Sequence, residues 1–444
     1  VAVGSWWRAR TLLEQDGLLY VASATFAVWN LPDGLDDYRF WAGVAAISYA
    51  LAGAIAVASS RTSRVGRDPI AARRVRRGIA ALCFLGAAVL PLGAEIAWRS
   101  DGAAGAHAQP EIAVIERAGD RVAGGAHPYP THPTTVGVAP STDAHTVDAT
   151  SYFPYLPGMI LFGLPNATGL PAALGDARVV LALFVLIGAA VAVALVGPSR
   201  PRLRMLEVLF VLPTGALPLA TGGDDLSVIV LLLIGYLCAT RRVPVASGLA
   251  FGAAATLKFL AWPVALFVLV VVRDRDGNPA RGRFGVAFGG MLAACLAYGL
   301  ASDPVPFIDN AFRFPLGLTK LASPAASPLL GHEIASLFPG HRTLIAGMMA
   351  LLAVVVCVGY LRRFPLLTVA DAARASAVAL LLATVLAPTT RFGYLIYVAN
   401  LLVWSVLLTA RGEPVLPATE DASAHDRRWS RAEADDAWGS ATTS

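Results

Sequence analysis

Long apolar runs alternate with short polar stretches over most of the chain. Runs at 17–31, 38–60, 78–98, 177–197, 205–221, 224–240, 283–302, 343–361, 373–388 and 392–410 approach or reach the length that crosses a bilayer as a helix, about 20 residues. They are continuous and rich in Leu, Val and Ala rather than alternating with period two, so they predict helices and exclude a closed β-barrel. The run 243–272 is too long for one helix and is broken by Lys258 and Pro263, which predicts a hairpin with Lys258 at its turn. That makes about twelve spans in an all-α polytopic bundle. Residues 151–165 are apolar but cut by Pro154, Pro157 and Pro165, which suits a re-entrant or interfacial piece.

The polar stretches differ in charge. Residues 61–78 hold seven arginines, and further basic groups stand at Arg200, Arg202 and Arg204, at Arg241 and Arg242, through 273–283, and at Arg362 and Arg363. The positive-inside rule puts all of these in the cytoplasm, with both termini. The intervening connections, including Asp33, Asp36 and Asp37 and the long loops 99–150 and 303–342, then lie outside. Three parts are expected: an N-terminal pair of spans with its basic loop (1–77), a main transmembrane domain (78–410) and a disordered cytoplasmic tail (411–444). Composition agrees, since 56% of the 444 residues are hydrophobic and 15% charged, far too apolar for a soluble domain. The net charge of +5 is explained by topology, so no nucleic-acid partner is expected. Cys83, Cys238, Cys295 and Cys357 all fall inside spans and imply no disulfide framework. Arg8 and Arg10 precede an apolar run without a small-residue cleavage pattern, so the first helix is expected to be retained.

The polar residues hardest to explain as surface collect on the outer side: Glu111, Asp224, Asp225, Lys258, Arg313, Lys320 and Arg391. Lys258 and Lys320 are the only lysines among 35 basic residues. Lys258, between Leu257 and Phe259, is either a phosphate ligand or a lysine snorkelling to the headgroups. Arg391 has the fork geometry for phosphate, with interfacial anchoring beside Tyr394 and Tyr397 as the alternative. Asp224 and Asp225 follow two glycines and either cap a helix or bind sugar hydroxyls; two adjacent acids are a weak metal signal. The stretch Pro110–Tyr129 reads as an amphipathic helix. At 100° per residue Glu111 shares a side with Ile115, Ala118 and Val122, whereas Glu116 and Asp120 point to water. Glu111 is therefore the candidate general base, its basicity raised by apolar surroundings. His107, His127, His132 and His145 match no zinc spacing, and no nucleotide or hydrolase motif occurs in a suitable context. Neither a metal nor a cofactor is expected.

In order and sidedness these residues resemble the polyprenyl-phosphate-sugar-dependent glycosyltransferases of the GT-C fold class, specifically glycosyltransferase family 87, with its actinobacterial mannosyltransferases. The resemblance rests on Glu111 leading through Gly124 and Gly125 to Pro128 and Tyr129, on Tyr152, Pro154, Tyr155 and Pro157, on Gly223, Asp224 and Asp225, on Lys258 with Pro263, and on Pro388, Arg391 and Tyr394. It covers about residues 78–410; the leading acid is Glu where the family usually has Asp. It implies inverting transfer of a sugar, mannose by preference, from a polyprenyl-phosphate donor to a lipid or glycan hydroxyl at the outer face of the plasma membrane. Glu111 would be the base, Lys258, Arg391 and Arg313 the phosphate ligands, and Tyr129, Tyr152, Tyr155, Asp224 and Asp225 the substrate contacts. A flippase of lipid-linked sugars and a silent membrane scaffold are the alternatives.

Overall fold

The computed structural model describes residues 10–32, 35–62, 68–102, 107–131, 151–196, 204, 207–319 and 323–409. The chain is an all-helical, multi-spanning membrane bundle. Among the described residues, six helices are long and apolar enough to cross a bilayer: Asp36–Arg61 (α2), Ile70–Asp101 (α3), Ala177–Val196 (α5), Arg281–Ser302 (α10), Pro339–Arg363 and Val369–Leu386. A short helix, Pro213–Thr221 (α6), precedes four shorter apolar ones: Asp225–Thr240 (α7), Pro244–Leu257 (α8), Ala261–Val271 (α9) and Phe392–Leu408. The first helix, α1 (Leu12–Trp29), begins earlier than its apolar run because Thr11 and Glu14 form a capping box. Carrying Glu14 and Asp16, it is not among the six. The helix α3 is also longer than the run 78–98, and a π turn at Leu85–Val89 interrupts it.

Contacts sort the helix ends into two ends of the bundle. At one, Arg76 of α3 and Arg204 pair with Asp16 of α1 at 2.5 and 2.6 Å, Arg241 donates to the Leu195 carbonyl at the end of α5, and Arg281 donates to Val270 of α9. At the other lie the amphipathic helix α4 (Pro110–Ala123), the start of α7 and the break at Lys258. The expected hairpin is present. Helix α8 stops at Leu257, Lys258 is extended, and α9 starts at Ala261. Arg242 at the head of α8 reaches the Arg275 carbonyl beyond α9, so both ends of the hairpin meet. The segment after Tyr152 forms two short 3-10 turns, Pro157–Phe162 and Leu164–Thr168, as its prolines require.

The N-terminal pair is built into the main bundle. Trp41 of α2 donates to the Ala87 carbonyl at 2.8 Å and Tyr49 to the Val211 carbonyl at 2.5 Å, both buried. Tyr38, also of α2, accepts from Gln109 immediately ahead of α4. Lys320, His132, His145, Asp33 and the tail 411–444 lie outside the described residues.

Candidate functional site

Helix α4 is laid across one end of the bundle by its apolar face, with Ile112, Ile115 and Ala118 all buried. Its C-terminus is closed by Gly124 and by Gly125, whose φ of +75° suits glycine. Glu116 does not face water as the helical wheel suggests. It is buried in a two-point pair with Arg99 of α3 at 2.6 and 2.9 Å and accepts from the Ala177 amide at the start of α5. Arg99 also pairs with Asp176, which Arg178 holds as well. Only Asp120 is exposed, bonded to Asn166. Gln109 donates to Tyr38 at 2.8 Å and to Thr221 at 2.6 Å. One amide thus ties the start of α4 to α2 and to the glycine turn ahead of Asp224. Gly222 in that turn has a φ of +91°, and a side chain there would strike Ile112 and Arg178.

Around this end five charged side chains from separated segments converge. The Lys258 ammonium bonds Asp224 at 2.9 Å and Asp225 at 2.5 Å, and it lies 5.2 Å from the Tyr155 ring centre. Asp225 also accepts from the Tyr397 hydroxyl at 2.7 Å. Asp224 stands at the N-cap position of α7, yet its side chain makes no capping bond and goes to Lys258 instead. The charge of the lysine outbids the local amides. The other oxygen of Asp224, Oδ2, is buried and has no hydrogen-bond partner among the described residues. Glu111 pairs with Nη1 of Arg391. Arg391 is set by the preceding turn, where Thr390 pairs with Ala325 and Ser327 backbone groups and buries its hydroxyl on Thr384. Burial pushes the Glu111 carboxyl up, but the Arg391 guanidinium, helped by a backbone amide and Lys258, more than offsets this and holds it below the usual carboxylate range. The expected rise in basicity is thereby reversed.

The remaining candidates separate. Tyr155 is buried beneath Lys258, and its carbonyl accepts from the Tyr129 hydroxyl at 3.1 Å. Tyr129 is 1% exposed, wedged against Phe153 and Phe307, so it braces the site from within the core. Tyr152 stacks on Phe314 with ring centres 4.2 Å apart and lines a small cleft with Asp309 and Asn310. Arg313 is exposed and paired with Asp309 at 2.8 Å, one helical turn back, rather than with the cluster. Tyr397 is buried on Asp225 rather than anchored in headgroups. Its place in the cluster was hidden by its apolar span, although a tyrosine six residues after Arg391 is a usable signal. Among the described residues no group of three His, Cys, Asp or Glu side chains is arranged to hold a metal. No family model, no curated protein and no solved structure matches the chain.

Proposed function

We propose that this membrane protein is a glycosyltransferase of GT-C type, with about twelve passes, that moves a monosaccharide from a polyprenyl-phosphate donor to a hydroxyl of a lipid or glycan. The observation that supports this best is the convergence of Glu111, Asp224, Asp225, Lys258 and Arg391 at one end of an apolar bundle, beside an amphipathic helix. An ionisable cluster at the edge of a membrane bundle is expensive to maintain and fits chemistry on a lipid-borne anion. The arginine-rich opposite end supports an extracytoplasmic side for the cluster, by the positive-inside rule.

In this reading the acceptor hydroxyl gives its proton to Glu111, its oxygen bonds to the anomeric carbon, and the bond from that carbon to the phosphate oxygen breaks with its electron pair. The leaving lipid phosphate thereby gains a negative charge, which Lys258 and Arg391 neutralise. The unpartnered oxygen of Asp224 is an acceptor for a sugar hydroxyl once the buried pair with Lys258 opens. Tyr155 and Tyr129 back the lysine, and Tyr152 shapes the approach. The sugar preference for mannose comes from the family resemblance. The test is reconstitution of the purified protein in vesicles with labelled polyprenyl-phosphate mannose and an alkyl mannoside acceptor. A new glycolipid is expected from the unaltered chain, and Glu111→Gln should reduce its formation by about 10²- to 10⁴-fold. Movement of donor between leaflets with no new glycosidic bond would refute the reading.

A further inference from the structure

We infer that donor binding itself generates the base, because the lipid phosphate takes Arg391 away from Glu111. This rests on the function proposed above and adds an order of events to it. The two cations of the cluster are not equivalent. Lys258 is 11% exposed and bound by two carboxylates, so a phosphate reaches it only by breaking buried pairs. The Arg391 side chain is 40% exposed and Glu111 19%, so their pair lies at the open side of the cluster. Its guanidinium meets Glu111 through Nη1, and no other bond from its fork is formed among the described residues. A guanidinium carries five donors, and two parallel bonds to a phosphate exceed one bond to a carboxylate.

The exchange matches the charge flow of the reaction. A sugar phosphodiester carries one negative charge and the departing phosphomonoester carries up to two, so the pull on Arg391 grows as the bond to the anomeric carbon breaks. Over the same interval Glu111 loses its cation and becomes a stronger base just as the acceptor proton must leave. Without donor, Glu111 stays paired and is a poor base. The other titratable or charged groups facing Glu111 are Lys258, Asp224 and Tyr155, with Asp225 and Tyr394 behind them. On the rest of α4, Glu116 is held by Arg99 and interacts with Arg117, Asp120 is held by Asn166, and Arg121 donates to the His127 carbonyl. Among the described residues, only Arg391 both bonds Glu111 and is exposed enough to leave toward solvent.

The test uses the whole protein in nanodiscs with decaprenyl phosphate, which lacks the sugar and cannot react. Calorimetry measures binding, and difference infrared spectroscopy follows the carboxyl stretch of Glu111, assigned by its loss in Glu111→Gln. Decaprenyl phosphate should raise the titration midpoint of Glu111 in the wild type. In Arg391→Gln the midpoint should start high, and the lipid should shift it less, by at least about one pH unit, a tenfold difference in proton affinity. Binding with equal shifts in both proteins would overturn the exchange and leave the site reading intact. Failure to bind the lipid phosphate would overturn that reading and the exchange with it.

Discussion

Replacing Gly119 with alanine adds one methyl group to the face of α4 that rests on the turn at Gly163. A Cβ built there comes within 2.6 Å of the Leu164 nitrogen and closer still to the Gly163 carbonyl, where ordinary contact begins at 3.4 Å. Backbone atoms cannot swing aside as a side chain does, so helix or turn must retreat by about 1 Å. The opposite route is no easier, because a Cβ on Gly163 would strike the Ile115 carbonyl of α4. The Arg99–Glu116 pair, three residues back on the same side of α4, ties the helix to α3 there and resists the retreat. Overpacking of this kind costs about 1–3 kcal/mol. A comparable displacement of Glu111 would slow the proposed transfer by about 10²-fold. Thermal unfolding in detergent, read by tryptophan fluorescence, should show a lowered midpoint for Gly119→Ala. Gly290→Ala on α10, where a Cβ meets nothing within 4 Å, should match the wild type. An unchanged midpoint for Gly119→Ala would refute the close approach of α4 to the turn and, with it, this account of how Glu111 is placed.

Two further outcomes can be checked with the same preparations. Lys258→Met leaves Asp224 and Asp225 adjacent with no cation, which should destabilise the protein by about 3–5 kcal/mol. Adding Asp225→Asn to that variant should recover part of the loss in the unfolding midpoint, and no recovery would argue against the pair as the cause. Gln109→Leu removes both bonds that tie α4 to Tyr38 and Thr221, at a cost of about 1–3 kcal/mol. Hydrogen exchange across 110–123 should accelerate in that variant, and unaltered protection would show that Gln109 does not hold the helix.

The elements whose outcome depends on short-range pattern were legible in the chain. Lys258 inside an apolar run reads as a break, and a break is found, with the lysine extended and its ammonium carried to Asp224 and Asp225. Of the apolar side that reads from spacing alone, Ile115 and Ala118 are buried and Val122 is partly buried. Partners far along the chain were not legible. Glu116 reads as water-facing on a wheel because the wheel holds only one helix, while its cation, Arg99, comes from another. Asp224 has the sequence of an N-cap and the contacts of an ion pair for the same reason. The sign of the shift on Glu111 depends on an arginine 280 residues away, which periodicity cannot reach.

That separation has a consequence for how the protein is made. The pair between Asp224 and Lys258 spans 34 residues and is available as soon as two neighbouring helices have entered the membrane. Glu111 must wait for Arg391, which leaves the ribosome only after most of the bundle has been threaded. Until then the Arg391 guanidinium cannot hold the carboxylate, and the charge cluster is incomplete in a chain that stops short of Arg391. The charge cluster is therefore completed late, and a nascent chain stalled before Arg391 carries much of the bundle with Glu111 still unpaired by that arginine.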